Sequence, residues 1–311
     1  MHKFNGKEVK KRLVKWIKDY FDESGNERAI AVIGISGGKD SSIVAALCVE
    51  ALGKDRVFGV LMPQGQQADI SYSYDLCKFL GIKYTVINIE KAVNATYDGL
   101  YNSIRLGDLK FFTGKSRGHL IPVESLNTIC TFNTPARERM KTLYAVAALI
   151  GGRVSCNSNL SESFVGFDTK WGDNAGDFAP LLQFTATEVK LIGYETSLPK
   201  KFINKTPLDG LCGKTDEESF GFTYQQLDKF IKGINPDGTF AMTVEGTSGD
   251  WEIDEKISKM FNNSRHKVID SIPHYQFPIQ KSLGQNNCKR CKMSTCFTGY
   301  CYYDGLTNER K

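Results

Sequence analysis

A short apolar segment that ends in a serine- and glycine-rich turn constrains this chain more than any other feature. Residues 29–35 are apolar and rich in β-branched side chains, and Ser36, Gly37 and Gly38 end the run. A helical pattern of apolar residues begins at Asp40. This order predicts a strand, a turn and a helix that together bind phosphate. Glycines let the backbone approach an anion, and the N–H groups and dipole of the helix stabilise its charge.

The spacing of the glycines excludes the two most familiar nucleotide-binding loops. A Walker A loop requires a glycine where this chain has Ile33, and a Ser or Thr after Lys39, where it has Asp40. A Rossmann fingerprint requires G-x-G-x-x-G, which the glycines of this segment do not form. A tight turn before a helix capped by Asp40 is the structural alternative, but it leaves the paired glycines and the surrounding hydroxyl groups unexplained.

The run from Ser36 to Ser41, Ser-Gly-Gly-Lys-Asp-Ser, resembles the signature loop of the ATP pyrophosphatase superfamily. Its members cleave ATP between the α and β phosphates and transfer AMP to an acceptor. The residue types suit this chemistry, because serine hydroxyls can donate to the leaving pyrophosphate and an aspartate can hold Mg²⁺ against it. The resemblance implies an ATP-binding set of Gly34, Ile35, Ser36, Gly37, Gly38, Lys39, Asp40, Ser41, Ser42 and Asn157.

Strand and helix patterns alternate along the chain, which indicates an α/β fold with a doubly wound, mostly parallel sheet flanked by helices. Residues 105–134 interrupt the alternation and read as a long loop, after which Pro135 is expected to start a helix. Further strands are predicted at 56–62, 83–89 and 153–156, and further helices at 9–21, 40–52, 69–80, 91–104, 185–196, 198–204, 223–232 and 251–263.

Several downstream segments are similar to those of one branch of the superfamily, the ammonia-dependent NAD synthetases. The similarity extends from about residue 10 to about residue 275, and the elements follow in the order of that family. The matching segments are Asn133-Thr-Pro-Ala-Arg-Glu-Arg-Met140, Asn159-Leu-Ser-Glu162, Gly166-Phe-Asp-Thr-Lys-Trp-Gly-Asp173, Lys205-Thr-Pro-Leu-Asp-Gly-Leu211, Thr215-Asp-Glu217 and Arg265-His-Lys267.

The resemblance implies both a fold and a reaction. The fold is that of the adenine nucleotide alpha hydrolases. The reaction is the ATP-dependent amidation of nicotinic acid adenine dinucleotide to NAD, through an acyl adenylate, with release of AMP and pyrophosphate. The phosphate loop lies only some thirty residues from the first residue, so no glutaminase portion is expected upstream and free ammonia or a separate protein would supply nitrogen. The resemblance also implies a homodimer, for which the apolar face of the first helix is a candidate contact.

Site residues are carried over from the family onto matching positions. Asp40 and Glu162 are the expected Mg²⁺ ligands, although a carboxylate at a helix start is the plain structural interpretation of Glu162. An exposed ion pair is the plain interpretation of the arginines before the helix, Arg137 and Arg139. A surface position is the plain interpretation of His266 and Lys267. The implied catalytic residues are Asp40, Ser41 and Lys170, and the implied substrate-binding residues are Arg137, Lys170, Asp177, His266 and Lys267. The backbone of Met62 is a further candidate for the adenine edge, with a buried core methionine as the alternative.

Three positions depart from the family pattern. Asn157 replaces a threonine near ATP, Ala186 replaces a phosphate-binding lysine, and Leu208 replaces a hydroxyl residue. Lys39 or a basic residue of the 105–117 segment is a candidate to compensate for the lost charge. The departures at Ala186 and Leu208 permit one alternative, a nucleotide-binding relative without turnover. A second alternative, suggested by the cysteines near the C-terminus, is another adenylating enzyme of the superfamily, such as a 7-cyano-7-deazaguanine synthase.

The composition excludes several classes of protein. The net charge of +5, from 40 basic and 35 acidic residues, is too mild to require a nucleic-acid partner. No apolar run approaches the roughly 20 residues of a membrane span, and no signal peptide is recognisable, so a cytoplasmic location without membrane contact is expected.

The cysteines fall into two groups. Cys48, Cys77, Cys130, Cys156 and Cys212 are scattered and read as small buried apolar residues. The other four suggest a zinc site in a reducing compartment, and a reduced tail is the alternative. We therefore predict a synthetase domain at 1–285 and a tail at 286–311 that contains Cys288, Cys291, Cys296 and Cys301.

Overall fold

A parallel four-stranded sheet lies at the centre of the molecule. The computed structural model describes residues 3–23, 28–106, 123–205, 215–233 and 247–267. Its elements are α1 (Gly6–Glu23), β1 (Ile30–Gly34), α2 (Lys39–Leu52), β2 (Val57–Leu61), α3 (Ile70–Leu80), β3 (Lys83–Val86), α4 (Glu90–Leu106), α5 (Val123–Ile150), β4 (Gly152–Val154), α6 (Leu160–Val165), α7 (Ala186–Tyr194), α8 (Lys200–Ile203), α9 (Asp216–Phe220), α10 (Tyr224–Lys232) and α11 (Trp251–Ser264), with short 3₁₀ turns at Lys54–Arg56 and Arg265–Lys267.

The strand order of the sheet is β3-β2-β1-β4, and every pair is parallel. Ala31 lies opposite Val57 on one side, and Ile30 lies opposite Gly152 on the other. The chain moves outward from β1 to β3 and then returns past β1 to form β4. The connections therefore reverse direction between β1 and β4, which leaves a crevice at the carboxyl ends of these two strands, where open α/β sheets bind ligands. The predicted fold class is confirmed.

Alternation along β1 assigns its side chains to two hydrophobic cores. Ala31 and Ile33 are fully buried in the core formed with α1 and α2. Val32, between them, is fully buried in a second core with Val93 of α4 and Met140 of α5. Successive side chains of a strand point to opposite faces, so helices on both sides of the sheet make the strand apolar throughout.

The apolar face of α1 packs inside the chain. Val9, Leu13, Ile17 and Phe21 recur at helical spacing and are all buried. This face packs against α2 and α7 as part of the first core. The expectation that it serves a contact between subunits is therefore wrong, because the face is already covered by the protein's own helices.

Helix α5 differs from its sequence-based prediction. Residues 123–134 were expected to belong to a loop that ends at Pro135, but the helix begins at Val123 and Pro135 lies inside it. Proline cannot donate to the carbonyl four residues earlier, here that of Thr131, and this normally interrupts a helix. The Tyr97 hydroxyl of α4 donates to that carbonyl at 3.1 Å instead. A tertiary contact thus replaces the bond that the sequence removes.

The remaining predicted helices and strands are confirmed, with ends that differ by a few residues. Cys48, Cys77 and Cys156 are buried as expected, and Cys130 is partly exposed. Burial raises the pKa of the Cys77 thiol to about 11 and that of Cys156 to about 12, so both stay protonated. No helix in the described part of the chain is both long enough and apolar enough to cross a bilayer. Leu208, Cys212, the domain boundary at 285 and the four tail cysteines lie outside the described residues.

Candidate functional site

The turn after β1 requires glycine at position 37. Gly37 has a φ of +72°, and a Cβ there would lie 2.9 Å from the Cβ of Tyr72. The Gly38 N–H donates to Ser36 Oγ at 3.2 Å, and this hydroxyl lies 3.0 Å from that of Ser41. Gly38 is also the N-cap residue of α2 and offers no side-chain cap. The first N–H groups of α2 therefore point to the crevice without a capping side chain, as an anion site requires.

Two buried serines support this turn from within α2. Ser42 Oγ donates to the Gly38 carbonyl at 2.7 Å, and Ser41 Oγ donates to the same carbonyl at 3.2 Å. Their hydroxyls therefore hold the loop against the first turn of the helix. A contact of Ser41 or Ser42 with a phosphate stays a prediction.

Asp40 lies in the first turn of α2 and is not its cap, so the cap interpretation of this residue is wrong. The Lys39 ammonium donates to both Asp40 carboxylate oxygens, at 2.6 and 2.7 Å. The Asn159 side-chain amide donates to Asp40 Oδ1 at 3.3 Å from the other side of the crevice. Asp40 thus connects the loop after β1 with the segment after β4.

Glu162 belongs to a capping box at the start of α6. The Glu162 N–H donates to Asn159 Oδ1 at 3.1 Å, and the Asn159 N–H donates to Glu162 Oε2 at 3.3 Å. The plain interpretation of Glu162 as a carboxylate at a helix start is therefore confirmed, and it leaves the second Glu162 oxygen outside the capping box. Burial raises the pKa of the Glu162 carboxyl well above its usual range, and the charge of Asp40 raises it further, whereas Lys39 opposes the shift.

Asp40 and Glu162 fit a magnesium ion that is shared with a phosphate substrate. Mg²⁺ is commonly held by one or two carboxylates, with substrate phosphates and water completing the shell. Two carboxylates whose charges interact, beside uncapped helix N–H groups, match that arrangement. Within the described residues, no group of three or more His, Cys, Asp or Glu side chains forms a metal cage by itself.

Asn157 lies in the crevice between β1 and β4. Its side-chain Nδ2 donates to the Gly34 carbonyl at 3.2 Å, and its Oδ1 accepts from Ser155 Oγ at 2.9 Å. An asparagine can both donate and accept, so it spans the ends of the two strands. Its predicted contact with ATP is not tested by these bonds.

A second group of site residues meets where α5, the 166–178 segment and the last 3₁₀ turn converge. Arg137 Nε donates to the Lys170 carbonyl at 3.1 Å, and Lys170 Nζ donates to the His266 carbonyl at 2.7 Å. Lys267 Nζ donates to the Gly166 carbonyl at 2.6 Å. The structure brings these four predicted substrate residues together, with both lysine ammonium groups on backbone carbonyls. Their predicted role in substrate binding stays a prediction.

Asp177 lies apart from that group, against the edge of the sheet. Its Oδ2 accepts from the Val154 N–H at 2.8 Å, and its Oδ1 accepts from the Tyr144 hydroxyl at 3.2 Å. Burial and the nearby Asp177 charge raise the pKa of the Tyr144 phenol. Asp177 therefore attaches its segment to β4 in this structure, and its predicted contact with a ribose stays a prediction.

Comparison with known proteins identifies the family. The family model described as NAD synthase matches residues 9–270. The chain belongs to the NAD synthase family. It is similar to the NH(3)-dependent NAD(+) synthetase of Pyrococcus furiosus, with 34% identity over 272 residues that cover 86% of this chain and 94% of the relative. The resemblance drawn from the motifs is thereby confirmed, and a deazaguanine synthase is not favoured.

The fold of this chain is similar to that of two solved structures. One is described as NMN synthetase from Francisella tularensis; it is 28% identical, has a TM-score of 0.68, and the match covers 87% of this chain and 99% of that chain. The other is the NAD+ synthetase from Burkholderia pseudomallei, with 25% identity, a TM-score of 0.62 and coverage of 85% and 90%.

The departure at Ala186 lies at the first turn of α7, where it is buried. The Ala186 N–H donates to Ser161 Oγ at 2.9 Å, and the Thr187 N–H donates to Asp228 Oδ2 at 2.6 Å. The first two backbone N–H groups of α7 therefore already have hydrogen-bond acceptors within the protein. Nothing in these contacts replaces the positive charge that the family pattern places at this position.

The residues that sequence reasoning missed act through contacts between distant segments. Asp228 of α10 accepts from Ser161 Oγ at 2.5 Å and ties α6 to α7. Burial raises the pKa of Asp228 to about 6. Asn159 could have been found from its Asn-x-x-Glu capping pattern, whereas Asp228 has no local signal. Arg139 is not free either, because its Nε donates to the Met62 carbonyl at 3.1 Å. The Met62 side chain lies in the second core, as the interpretation of Met62 as a buried core methionine predicted.

Proposed function

We propose that this chain catalyses the ATP-dependent amidation of nicotinic acid adenine dinucleotide by ammonia, which yields NAD, AMP and pyrophosphate. The observation that carries the proposal is the position of the Ser36–Ser42 loop and Glu162 on the two sides of the crevice between β1 and β4, in a chain of the NAD synthase family. The name of the relative from Pyrococcus furiosus supports ammonia as the nitrogen donor.

In the proposed first step, the nicotinate carboxylate attacks the α-phosphorus of ATP. A carboxylate O–P bond forms and the bond from the α-phosphorus to the bridging oxygen breaks, so pyrophosphate leaves with the electron pair. In this proposal the N–H groups of α2, which have no side-chain cap, and the Ser36 and Ser41 hydroxyls of the adjoining turn bind that developing charge. Ammonia then attacks the acyl carbon, AMP leaves, and the ammonia nitrogen loses a proton to form the amide.

We propose that Asp40 and Glu162 hold Mg²⁺ together with the phosphates. When bound, the ion supplies neutralisation of phosphate charge in the transition state. The contribution of the protein is the relative position of the two carboxylates, which Asn159 sets by bonding to both residues. In this proposal Asn157 binds ATP from the β4 side.

We assign the dinucleotide to the group formed by Arg137, Lys170, His266 and Lys267. Three of these residues carry positive side chains on segments that hydrogen bonds to backbone carbonyls hold together, which suits a substrate with a carboxylate and a pyrophosphate. In this assignment Lys170 pairs with the nicotinate carboxylate and orients it toward ATP. Asp177 is proposed to accept from a ribose hydroxyl.

A single assay tests the reaction. Purified protein is mixed with ATP, Mg²⁺, ammonium and nicotinic acid adenine dinucleotide, and NAD and AMP are measured by chromatography. We expect NAD and AMP in equal amounts, with NAD formation dependent on ammonium. Protein that binds ATP but forms no AMP with this acceptor would contradict the proposal and support the alternative of a relative without turnover.

The same reaction on nicotinic acid mononucleotide is a second candidate. It is favoured by the similarity to the structure described as NMN synthetase, which this chain matches over 99% of that chain. Parallel assays with the two acids distinguish the candidates. A higher kcat/KM for the dinucleotide supports the first proposal, and a higher value for the mononucleotide supports the second.

Three further features stay proposals. A homodimer is implied by the family resemblance, and sedimentation tests it. A cytoplasmic location agrees with the free thiols of Cys48, Cys77, Cys130 and Cys156. The division into a domain at 1–285 and a tail at 286–311 also stays a proposal. Zinc analysis after dialysis against a chelator tests whether the tail binds zinc, and absence of metal contradicts the zinc site.

A further inference from the structure

Lys39 makes a contact that helix geometry alone does not favour. Its ammonium nitrogen lies 2.6 and 2.7 Å from the two oxygens of the adjacent Asp40. Neighbouring residues on a helix do not normally face each other, since facing pairs lie three or four residues apart. The Lys39 side chain is nevertheless 4% exposed, so it is folded back inside the site. The surroundings of the loop, and not the helix, hold the ammonium on the carboxylate.

The position of Lys39 is electrostatically unfavourable without its carboxylate neighbours. It is the first residue of α2, and the positive end of a helix dipole repels a cation. The Lys39 ammonium is nevertheless enclosed in the site and donates to both oxygens of Asp40. It therefore acts as the counter-ion of the Asp40 carboxylate, which the proposed function assigns to the metal.

We propose that the Lys39 ammonium competes with the divalent cation for Asp40, so that the metal binds well only together with the phosphates of ATP. Both Asp40 oxygens accept from Lys39, and a metal that took them would leave a buried ammonium unpaired. Nucleotide phosphates provide the ammonium with another acceptor a short distance from the same loop. Binding of metal and binding of nucleotide then favour each other reciprocally. The inference rests on the proposed function, because it takes Asp40 as a metal ligand and ATP as the substrate.

The test measures Mn²⁺ binding to the full-length, nucleotide-free protein by electron paramagnetic resonance. Lys39→Met removes the charge and keeps an apolar side chain of similar length. Lys10→Met is the matched control, since Lys10 pairs with Glu50 at the opposite end of α2 with a similar 2.7 Å contact. We expect Lys39→Met to bind Mn²⁺ at least about tenfold more tightly than wild type, within the usual range of coupling between sites, and Lys10→Met to match wild type.

The double variant Lys39→Met/Asp40→Asn separates failure of this inference from failure of the proposed metal site. If Lys39→Met binds Mn²⁺ no more tightly than wild type, and the added Asp40→Asn change weakens binding, Lys39 does not compete and the inference is wrong. If the Asp40→Asn change has no effect on Mn²⁺ binding, the metal assignment itself is wrong and the inference falls with it. Lys39→Gln replaces Lys39→Met where thermal unfolding shows that the methionine variant is not folded.

Discussion

The side-chain amide of Asn159 donates to Asp40 across the crevice at 3.3 Å, while the backbone N–H of Asn159 donates to Glu162. Asn159 is fully buried, and its side chain also caps α6. One residue thus fixes the distance between two carboxylates that come from different segments of the chain. The arrangement of the proposed metal site therefore includes Asn159 as well as the two carboxylates.

We expect Asn159→Ala to weaken both stability and ATP binding. Loss of the cap costs about 1 kcal/mol of unfolding free energy, and the Asp40 oxygen loses a donor. Thr223→Ala is the control, because Thr223 forms the equivalent capping box of α10 at an exposed position. Urea unfolding and calorimetric titration with Mg-ATP measure the two effects. Equal ATP affinity in the two variants would show that the bridge does not serve the site.

Gly37→Ala is expected to disrupt the phosphate loop. A left-handed backbone costs a non-glycine residue about 1–2 kcal/mol, and the new Cβ would meet Tyr72 at 2.9 Å. Gly53→Ala also places an alanine at a positive φ, here +81°, but with nothing within 4 Å of the added Cβ. Gly53→Ala should lower the unfolding free energy and keep ATP affinity, whereas Gly37→Ala should lower both. A Gly37→Ala protein with normal ATP affinity contradicts the assigned role of the loop.

Asp228 should make the stability of the protein depend on pH. Its pKa is raised from 3.8 to about 6 by burial, so ionisation is harder in the folded than in the unfolded state. The stability that this carboxyl contributes is fully present below about pH 4 and is lost as the pH rises through about 6. The shift corresponds to about 3 kcal/mol. Urea unfolding at several pH values should show this loss in wild type relative to Asp228→Asn, and parallel pH profiles would contradict it.

Lys170→Ala is expected to raise KM for the acid dinucleotide while leaving the affinity for ATP nearly unchanged. A hydrogen bond to a charged group is worth about 1.5–3 kcal/mol, which corresponds to roughly a 10- to 150-fold effect. Lys141→Ala is the control, because Lys141 is an exposed lysine of α5 that pairs with Glu138 of the same helix. Initial-rate kinetics with each substrate varied in turn make the measurement. An increase in KM for ATP alone would contradict this assignment and indicate that Lys170 contacts ATP.

Tyr97 and Pro135 should be coupled energetically. Tyr97→Phe removes the donor to the Thr131 carbonyl and should cost about 0.5–1.5 kcal/mol. In a Pro135→Ala background the alanine N–H can donate to that carbonyl, so the same change should cost less. A double-mutant cycle of unfolding free energies measures the difference. Additive effects would show that the hydroxyl does not compensate for the proline.

Much of the fold could be predicted because its determinants are local. The apolar run before Ser36, the glycines that follow it and the helical spacing after Asp40 all lie within a few residues of one another. Strand and helix periodicities along residues 56–104 then predict a parallel sheet. The ordered motifs identify the family, and the comparison confirms it.

The sequence by itself therefore determined the fold class, the family and the position of the phosphate loop. Only the tertiary structure decided that α5 continues through Pro135, that the face of α1 is covered, and that Asn159 bonds to Asp40. The physical reason is that these outcomes depend on contacts between segments far apart in the chain. Hydrogen bonds and charge pairs across the crevice have no periodic signal in either segment, and they form only once the sheet brings β1 and β4 side by side.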